Sequence, residues 1–178
     1  WALGRSPEAR REWERIPAGT PEGLRARLHL GLEAFFRLDT GGLRTDEARP
    51  DLARAVSAGG EVGTLATGAL AASRREWAGA RAALAGLPGG EAARLRGVGE
   101  EKDPKGDLAE ALREYARGLE AGPPLAGVWV NRASIRHRLG DPRGACEDYE
   151  AALRLRPAYP EALMGRGHAR DVLGEPQA

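Results

Sequence analysis

The sequence is poor in cysteine, in aromatic residues and in β-branched residues, and each shortage excludes a class of protein. Its one cysteine, Cys146, excludes a disulfide framework within the chain. Aromatic residues make up only 5% of the 178 residues, so alanine and leucine must supply most of the apolar core. Valine, isoleucine and threonine are sparse, and no stretch alternates apolar and polar residues for long enough to indicate a sheet. The chain is therefore predicted to be all-α.

Strong net charge and long apolar runs are also missing. A net charge of +1 argues against a nucleic-acid-binding protein, which usually carries a basic excess on one face. No run approaches the roughly 18 apolar residues that a membrane span needs, and no charged and then apolar leader opens the chain. The lack of paired cysteines favours a reducing compartment. We therefore expect a cytoplasmic location, with neither nucleic acid nor a membrane as a partner of these residues.

The sequence motifs of catalysis are absent as well. There is no glycine-rich phosphate loop, no Gly-x-Ser-x-Gly and no His-Glu-x-x-His. The histidines His29, His137 and His168 have no cysteine or carboxylate at the spacing of a metal site. Cys146 lies at helical spacing from Tyr149 and is predicted to be a buried, inert thiol. We expect no enzyme activity, no cofactor and no metal.

What the chain does have is a repeat of 34 residues in its second half. The copy in 126–159 carries Trp129, Ala133, Gly140, Ala145, Tyr149, Ala152 and Pro157. One period earlier, the corresponding residues are Leu95, Gly99, Gly106, Ala111, Tyr115 and Pro123, and one period later they are Leu163, Gly167 and Gly174. Small residues allow two helices to touch, an aromatic residue fills the gap to the next pair, glycine turns the chain and proline ends the helix. The pattern predicts stacked helical hairpins in which Trp129, Ala133, Ala145, Tyr149 and Ala152 are buried.

This pattern resembles the tetratricopeptide repeat, most clearly over residues 92–178. The resemblance implies a right-handed solenoid of antiparallel helical hairpins, with copies at 91–125 and 126–159 and a truncated one at 160–178. Two of the first helices contain Asn131-Arg132-Ala133 and Gly165-Arg166-Gly167, which are similar to the Asn-Arg-Gly of a bacterial variety. In that variety the arginine pairs with an acid on the second helix, so the resemblance implies an ion pair between Arg132 and Asp148. A partly exposed pair would contribute only about 0–1 kcal/mol.

Residues 1–90 contain no clean copy of the repeat. Helices are predicted there over 9–16, 23–38, 46–58 and 61–87, the last being one helix or two joined around Ala72-Ser73. Further helices are predicted over 91–102, 108–120 and 161–173. We expect residues 1–90 to form irregular hairpins continuous with the solenoid, and a separate helical domain is the alternative.

The resemblance implies a non-catalytic protein–protein interaction module that binds a peptide or helix of a partner in a concave groove. The predicted groove residues are Arg96, Val130, Asn131, Ser134, His137, Arg138, Met164, Gly165, His168 and Asp171. The amide of Asn131 is suited to hold the backbone of an extended peptide. A clamp for a C-terminal carboxylate is not expected, because Glu100, Glu161 and Gly165 stand where such repeats carry asparagine, lysine and arginine.

The alternative function is self-association, or an accessory module attached to a catalytic domain such as a bacterial signalling kinase. The chain begins at Trp1 without a methionine, so an upstream segment is expected to have been removed. It ends at Ala178, where the second helix of the last repeat is expected to begin. We therefore expect the natural protein to continue, and self-association through this end if that helix is missing.

Overall fold

The computed structural model describes residues 7–36, 45–122 and 125–175. All regular structure in these ranges is helical, so the predicted all-α class is confirmed. The helices are α1 (Pro7–Arg15), α2 (Pro21–Phe36), α3 (Thr45–Ala55), α4 (Gly60–Ser73), α5 (Trp77–Leu84), α6 (Gly90–Lys102), α7 (Leu108–Glu120), α8 (Ala126–Arg138), α9 (Pro142–Leu155) and α10 (Pro160–Leu173), with a 3-10 turn at Val56–Ala58. Leu38, Pro123 and the residues after Glu175, on which parts of the sequence analysis rest, lie outside the described residues.

The helices pack in consecutive pairs, which confirms the predicted stack of hairpins. The pairs are α2 with α3, α4 with α5, α6 with α7 and α8 with α9, while α10 packs on α9. First helices also meet one another, since α2 contacts α4, α4 contacts α6 and α8 contacts α10. Between the pairs α6–α7 and α8–α9, the contact is made by α7 with α8. We call the first helices of the successive pairs, α2, α4, α6, α8 and α10, the first-helix row.

A side-chain cap and a left-handed backbone conformation mark two of the helix boundaries. The Thr20 hydroxyl accepts a hydrogen bond from the Gly23 N–H at 3.0 Å and so caps the start of α2. The segment 61–87 forms two helices rather than one. The break follows Ser73, where Arg75 has a φ of 61°, in the left-handed region that commonly ends a helix.

Two clusters of buried apolar side chains hold the stack together, and both include residues of α8. The first extends from Leu28 on α2 to Ile135 on α8. The second joins α8, α9 and α10 and extends from Ala126 to Ala169. On α8, Val128 and Ile135 belong to the first cluster, and Ala133 belongs to the second. The helix thus lies between the two cores.

Small residues bring the paired helices into close contact. Ala133, Ala145 and Ala152 are fully buried, and Tyr149 is also buried, as predicted. The prediction was wrong for Trp129, which is half-buried at the edge of the second cluster. The guanidinium of Arg132 lies 4.7 Å from the centre of its ring and covers part of it.

No helix among the described residues is both long enough and apolar enough to cross a membrane.

Candidate functional site

The candidate site is the surface of the first-helix row over α6, α8 and α10, which carry the predicted groove residues. Their burial differs widely. Val130 is 8% exposed and packs in the second cluster, so it lies in the core and not on the open surface. The half-buried residues are Arg96, Asn131, Ser134, His137 and Gly165. The exposed residues are Arg138, Met164, His168 and Asp171.

Arg96 is bound inside the fold. Its Nη1 donates to the carbonyl oxygens of Leu84, at 3.0 Å, and Leu87, at 2.8 Å. Its Nη2 lies 3.0 Å from Oε2 of Glu114, whose side chain is only 6% exposed. These contacts join the end of α5 to α6 and α7. Arg96 therefore stabilises the stack, and its guanidinium is largely used before any ligand could reach it.

Asn131 is connected to a buried polar network. Its Nδ2 donates to the hydroxyl of Tyr115 at 3.3 Å, and that hydroxyl donates to Oε2 of Glu101 at 2.7 Å. Tyr115 is fully buried, and the side chain of Glu101 is 4% exposed. Burial, followed by the charge of Glu101, raises the pKa of Tyr115 well above its usual value. The hydroxyl therefore stays protonated and holds one side of the Asn131 amide.

Glycines flank Asn131 in the row, because Gly97 and Gly165 occupy the same place in the neighbouring copies. A Cβ at Gly97 would lie 2.8 Å from the Tyr115 ring. A Cβ at Gly165 would lie 2.2 Å from Cζ of Tyr149. Tyr115 on α7 therefore packs on Gly97 of α6, and Tyr149 on α9 packs on Gly165 of α10. Of these three equivalent positions, only Asn131 carries a side chain.

The ion pair implied for Arg132 and Asp148 is confirmed. Nε of Arg132 lies 2.8 Å from Oδ2 of Asp148, and Nη2 lies 2.6 Å from Oδ1. Arg136 contributes a second guanidinium, with Nη1 at 3.2 Å from Oδ2. The expectation of a partly exposed pair was wrong, because the side chains of Arg132 and Asp148 are 14% and 2% exposed. The contact between α8 and α9 excludes water from the carboxylate.

The acids of α6 are occupied by internal contacts. Arg81 on α5 donates to Oε2 of Glu100 at 2.8 Å and to Oδ2 of Asp103 at 2.7 Å. The backbone N–H of Asp107 also donates to Glu100, at 3.0 Å. In contrast, α8 contains no acidic residue and ends in Arg136-His137-Arg138. The row therefore carries neutralised charge at α6 and the exposed Arg138 at the end of α8.

The remaining polar candidates show no metal site. Among the described residues, no three histidine, cysteine or carboxylate side chains cluster closely enough to hold an ion. The Nδ1 atom of His137 is buried and has no hydrogen-bond partner among the described residues. Cys146 is half-buried rather than buried as predicted, with Sγ 4.0 Å from the carbonyl oxygen of Arg166. Burial raises the pKa of this thiol, which keeps it protonated.

Sequence reasoning missed one feature near the N-terminal end of the described chain. The rings of Trp13 and His29 stack with centroids 5.5 Å apart and border a cleft of about 240 Å³. Burial lowers the pKa of His29, the charge of Glu91 opposes that shift, and Arg25 adds to it. The two rings belong to different helices, so no spacing in the sequence could have indicated the pair.

Comparison with known proteins gives distant similarity to repeat proteins. No protein-family model matches the chain. The chain is 38% identical over 61 residues to tetratricopeptide repeat protein 36 of Danio rerio and 42% identical over 50 residues to that of Bos taurus. It is 33% identical over 80 residues to a FAM10 family protein of Arabidopsis thaliana.

These matches are partial. They cover 34%, 28% and 45% of this chain, in the same order, and the chain spans 32%, 27% and 18% of the lengths of the relatives. Together with the packed helical pairs, they show distant homology to tetratricopeptide repeat protein 36 and to FAM10 family proteins.

Proposed function

We propose that this chain is a non-catalytic protein-interaction module that binds an extended segment of a partner across α6, α8 and α10. The observation that carries the proposal is the placement of Asn131. Its half-buried amide stands between two glycine positions, and the Tyr115 hydroxyl fixes its orientation. Similarity to proteins named for the tetratricopeptide repeat supports an interaction role.

The chemistry of Asn131 suits a peptide backbone. A side-chain amide has two N–H donors and one carbonyl acceptor. One N–H is used on Tyr115, which leaves a donor and the acceptor for a ligand. An extended peptide presents its own N–H and C=O groups in the complementary arrangement.

The surrounding side chains set the preference for the partner segment. Arg138 is exposed and adds positive charge, while Met164 is 65% exposed and offers a flexible apolar contact. A segment with an apolar residue near Met164 and an acid near Arg138 matches this surface best. Ser134 lies one turn of helix from both Asn131 and Arg138 on α8 and is the natural point from which to map the contact.

We also propose that residues 1–90 belong to the same stack as residues 91–178. The first cluster contains Leu28, Leu52 and Ala69 together with Leu95 and Ile135, which supports a continuous core. The first helices start at Pro21, Gly60, Gly90, Ala126 and Pro160, so the interval is regular only towards the C-terminal end. This irregularity explains why the 34-residue period fades in the N-terminal part.

We propose further that the last two copies are of the bacterial Asn-Arg-Gly variety. The bidentate contact of Arg132 with Asp148 supports this assignment, because it is the pairing that the variety implies.

A photo-crosslinking experiment tests the proposed function. A benzophenone amino acid at Ser134 should crosslink a partner in cells, and the same group at Arg154 on the exposed surface of α9 should not crosslink that partner. With the partner identified, Asn131→Ala should weaken its binding about tenfold or more, which corresponds to the loss of hydrogen bonds to the amide. Arg154→Ala is the matched control and should leave the affinity unchanged.

The proposal fails if the partner crosslinks from Arg154 and not from Ser134, or if Asn131→Ala binds as tightly as the native chain. Circular dichroism of each variant shows whether the helices are kept. Asn131→Asp keeps the size of the side chain but removes its N–H donors. It should weaken binding as Asn131→Ala does, if the amide holds the partner backbone.

A further inference from the structure

A buried acid lies behind the proposed peptide site. Glu101 is near the end of α6, and its side chain is 4% exposed. Its Oε2 accepts a hydrogen bond from the Tyr115 hydroxyl at 2.7 Å, and its Oε1 contacts the ammonium group of Lys102, whose side chain is 43% exposed. The same hydroxyl contacts Nδ2 of Asn131. The carboxylate is therefore connected to the amide of the peptide site through a single hydroxyl group.

The direction of the two hydrogen bonds follows from the number of protons. A phenol has one proton to donate, and a carboxylate can only accept. The contact with Glu101 is the shorter one, at 2.7 Å against 3.3 Å to Asn131, and a charged acceptor forms the stronger bond. The raised pKa of Tyr115 keeps this proton on the hydroxyl. The hydroxyl therefore donates to Glu101 and can only accept from Asn131.

This direction fixes the polarity of the Asn131 amide. Only the nitrogen of a side-chain amide carries protons, so Nδ2 faces Tyr115 and Oδ1 lies at the opposite edge of the amide. If the amide turned over about its last bond, Oδ1 would face the lone pairs of the Tyr115 oxygen, and two acceptors would meet. A ligand therefore finds the carbonyl oxygen of Asn131 in one fixed position.

The next hairpin junction is built without this network. One period of 34 residues later, the equivalents of the acid, the tyrosine and the asparagine are Ile135, Tyr149 and Gly165. Ile135 is fully buried, and a Cβ at Gly165 would lie 2.5 Å from the Tyr149 hydroxyl oxygen. Burial of a carboxylate is costly, and an apolar residue serves the stack at the equivalent position. The packing of the tyrosine therefore requires neither the acid nor the amide.

We propose that Glu101 is a positioning residue of the peptide site. It acts through Tyr115 to hold the carbonyl oxygen of Asn131 at the outer edge of the amide, where it accepts an N–H from the backbone of the partner segment. This inference rests on the proposed function, because it concerns the same site. The polarity of the amide can nevertheless be measured without a partner.

NMR of the native chain without a ligand measures this polarity. Asn131 is the only asparagine in the chain, so isotope-labelled asparagine marks one side-chain amide. Its Nδ2 protons should show nuclear Overhauser contacts to the Tyr115 ring. Glu101→Met removes the acceptor and frees the Tyr115 proton to donate to Oδ1. The amide should then turn over, and these contacts should be lost.

Two further variants separate this effect from a general disturbance. Glu101→Gln is the conservative variant and should keep the native contacts, because its carbonyl oxygen can still accept from the hydroxyl. Glu120→Met, at an exposed acid of α7, is the matched control and should keep them too. Circular dichroism of each variant shows whether the helices are kept.

Binding of the partner that Ser134 crosslinks is the second measurement. Glu101→Met should weaken it about tenfold or more, because the turned amide would present its N–H groups to the N–H of the partner. Glu101→Gln should bind normally. In a chain that carries Tyr115→Phe, Glu101→Met should have no further effect on the affinity, since Glu101 acts through the missing hydroxyl.

Three results would overturn the inference. They are native amide contacts in Glu101→Met, loss of these contacts in Glu101→Gln to the same extent, and normal partner binding by Glu101→Met although its amide has turned over. Failure of the proposed function gives a different result. Asn131→Ala would then bind the partner as tightly as the native chain while the amide still turns over in Glu101→Met, and the role of Glu101 in binding would be refuted with it.

Discussion

Asp148 is a buried acid at the contact between α8 and α9. Its carboxylate is 2% exposed and accepts hydrogen bonds from Arg132, while Arg136 lies within ion-pair distance. A charge removed from water is costly unless it is paired with good geometry, and here two guanidinium groups supply the pairing. The pair fixes how the helices meet, and removal of one partner leaves the others buried without compensation.

Asp148→Ala is therefore expected to lower the free energy of unfolding by about 3–5 kcal/mol, the usual range when a buried ion pair loses one member. Urea unfolding followed by circular dichroism measures it. Glu110→Ala is the control, since Glu110 pairs with Arg113 and Arg117, whose side chains are 55% and 56% exposed, and such pairs contribute about 1 kcal/mol or less. Equal effects of the two substitutions would contradict the burial of Asp148.

Ionisation of Tyr115 makes the free energy of unfolding depend on pH in the alkaline range. Its pKa is raised above the usual 10.0 by burial and by Glu101, so the unfolded chain loses this proton at a lower pH than the folded chain. The free energy of unfolding should therefore fall as the pH rises above about 10. Tyr115→Phe should reduce this fall.

Tyr149→Phe is the comparison, because burial also raises the pKa of Tyr149, though less strongly. Urea unfolding at pH values on either side of the tyrosine range measures both variants. Tyr115→Phe should flatten the pH profile more than Tyr149→Phe does. An unchanged slope in Tyr115→Phe would show that the Tyr115 hydroxyl ionises as easily in the folded chain as in the unfolded one.

Among the helices, α10 shows how one element can carry two glycines with opposite roles. Gly165 and Gly167 are two positions apart. The repeat pattern requires a small residue only at Gly167, since the counterpart of Gly165 in the preceding copy is Asn131. In the structure, Gly165 faces the Tyr149 ring, and Gly167 faces open space. The sequence predicts small residues at helix contacts, but only the packing of α9 on α10 shows which of the two glycines the contact requires.

Gly165→Ala should destabilise the chain by about 1–3 kcal/mol, because its Cβ would lie 2.2 Å from Cζ of Tyr149 and force the helices apart. Gly167→Ala should instead be neutral or stabilise the chain by up to about 1 kcal/mol, since alanine favours the helix over glycine. Thermal unfolding of the two variants side by side measures the difference. A stability loss of similar size in both would contradict the assigned packing of α10.

Over the whole molecule, the sequence predicted the helices and their pairing better than the environment of individual side chains. The resemblance to the Asn-Arg-Gly variety implied the contact of Arg132 with Asp148, and both residues lie within one hairpin. The sequence could not show that Val130 is buried, or that Arg96 donates hydrogen bonds to the carbonyl oxygens at the end of α5. Those outcomes depend on how neighbouring hairpins are rotated against each other, which no local spacing records.

This architecture also predicts a gradient of local stability along the stack. In α6, residues Gly90, Ala92, Ala93, Arg94, Leu95, Gly97, Val98 and Gly99 are buried, whereas in α10 only Ala162 and Ala169 are buried. Each hairpin of a repeat stack is stabilised mainly by its neighbours, so a helix with little buried surface opens first. Amide hydrogen exchange should therefore be faster in α10 than in α6.

A substitution of Ile135 tests whether α8 lies between two separately stable cores. Ile135 is fully buried and belongs to the first cluster, while other residues of α8 belong to the second. Ile135→Ala should cost about 2–5 kcal/mol and speed up exchange in α8, α9 and α10 more than in α4 and α6. Leu139→Ala, at a side chain that is 52% exposed just after α8, should leave the exchange profile unchanged. If Ile135→Ala accelerates exchange equally in every helix, the two clusters unfold as one cooperative unit, and α8 does not separate them.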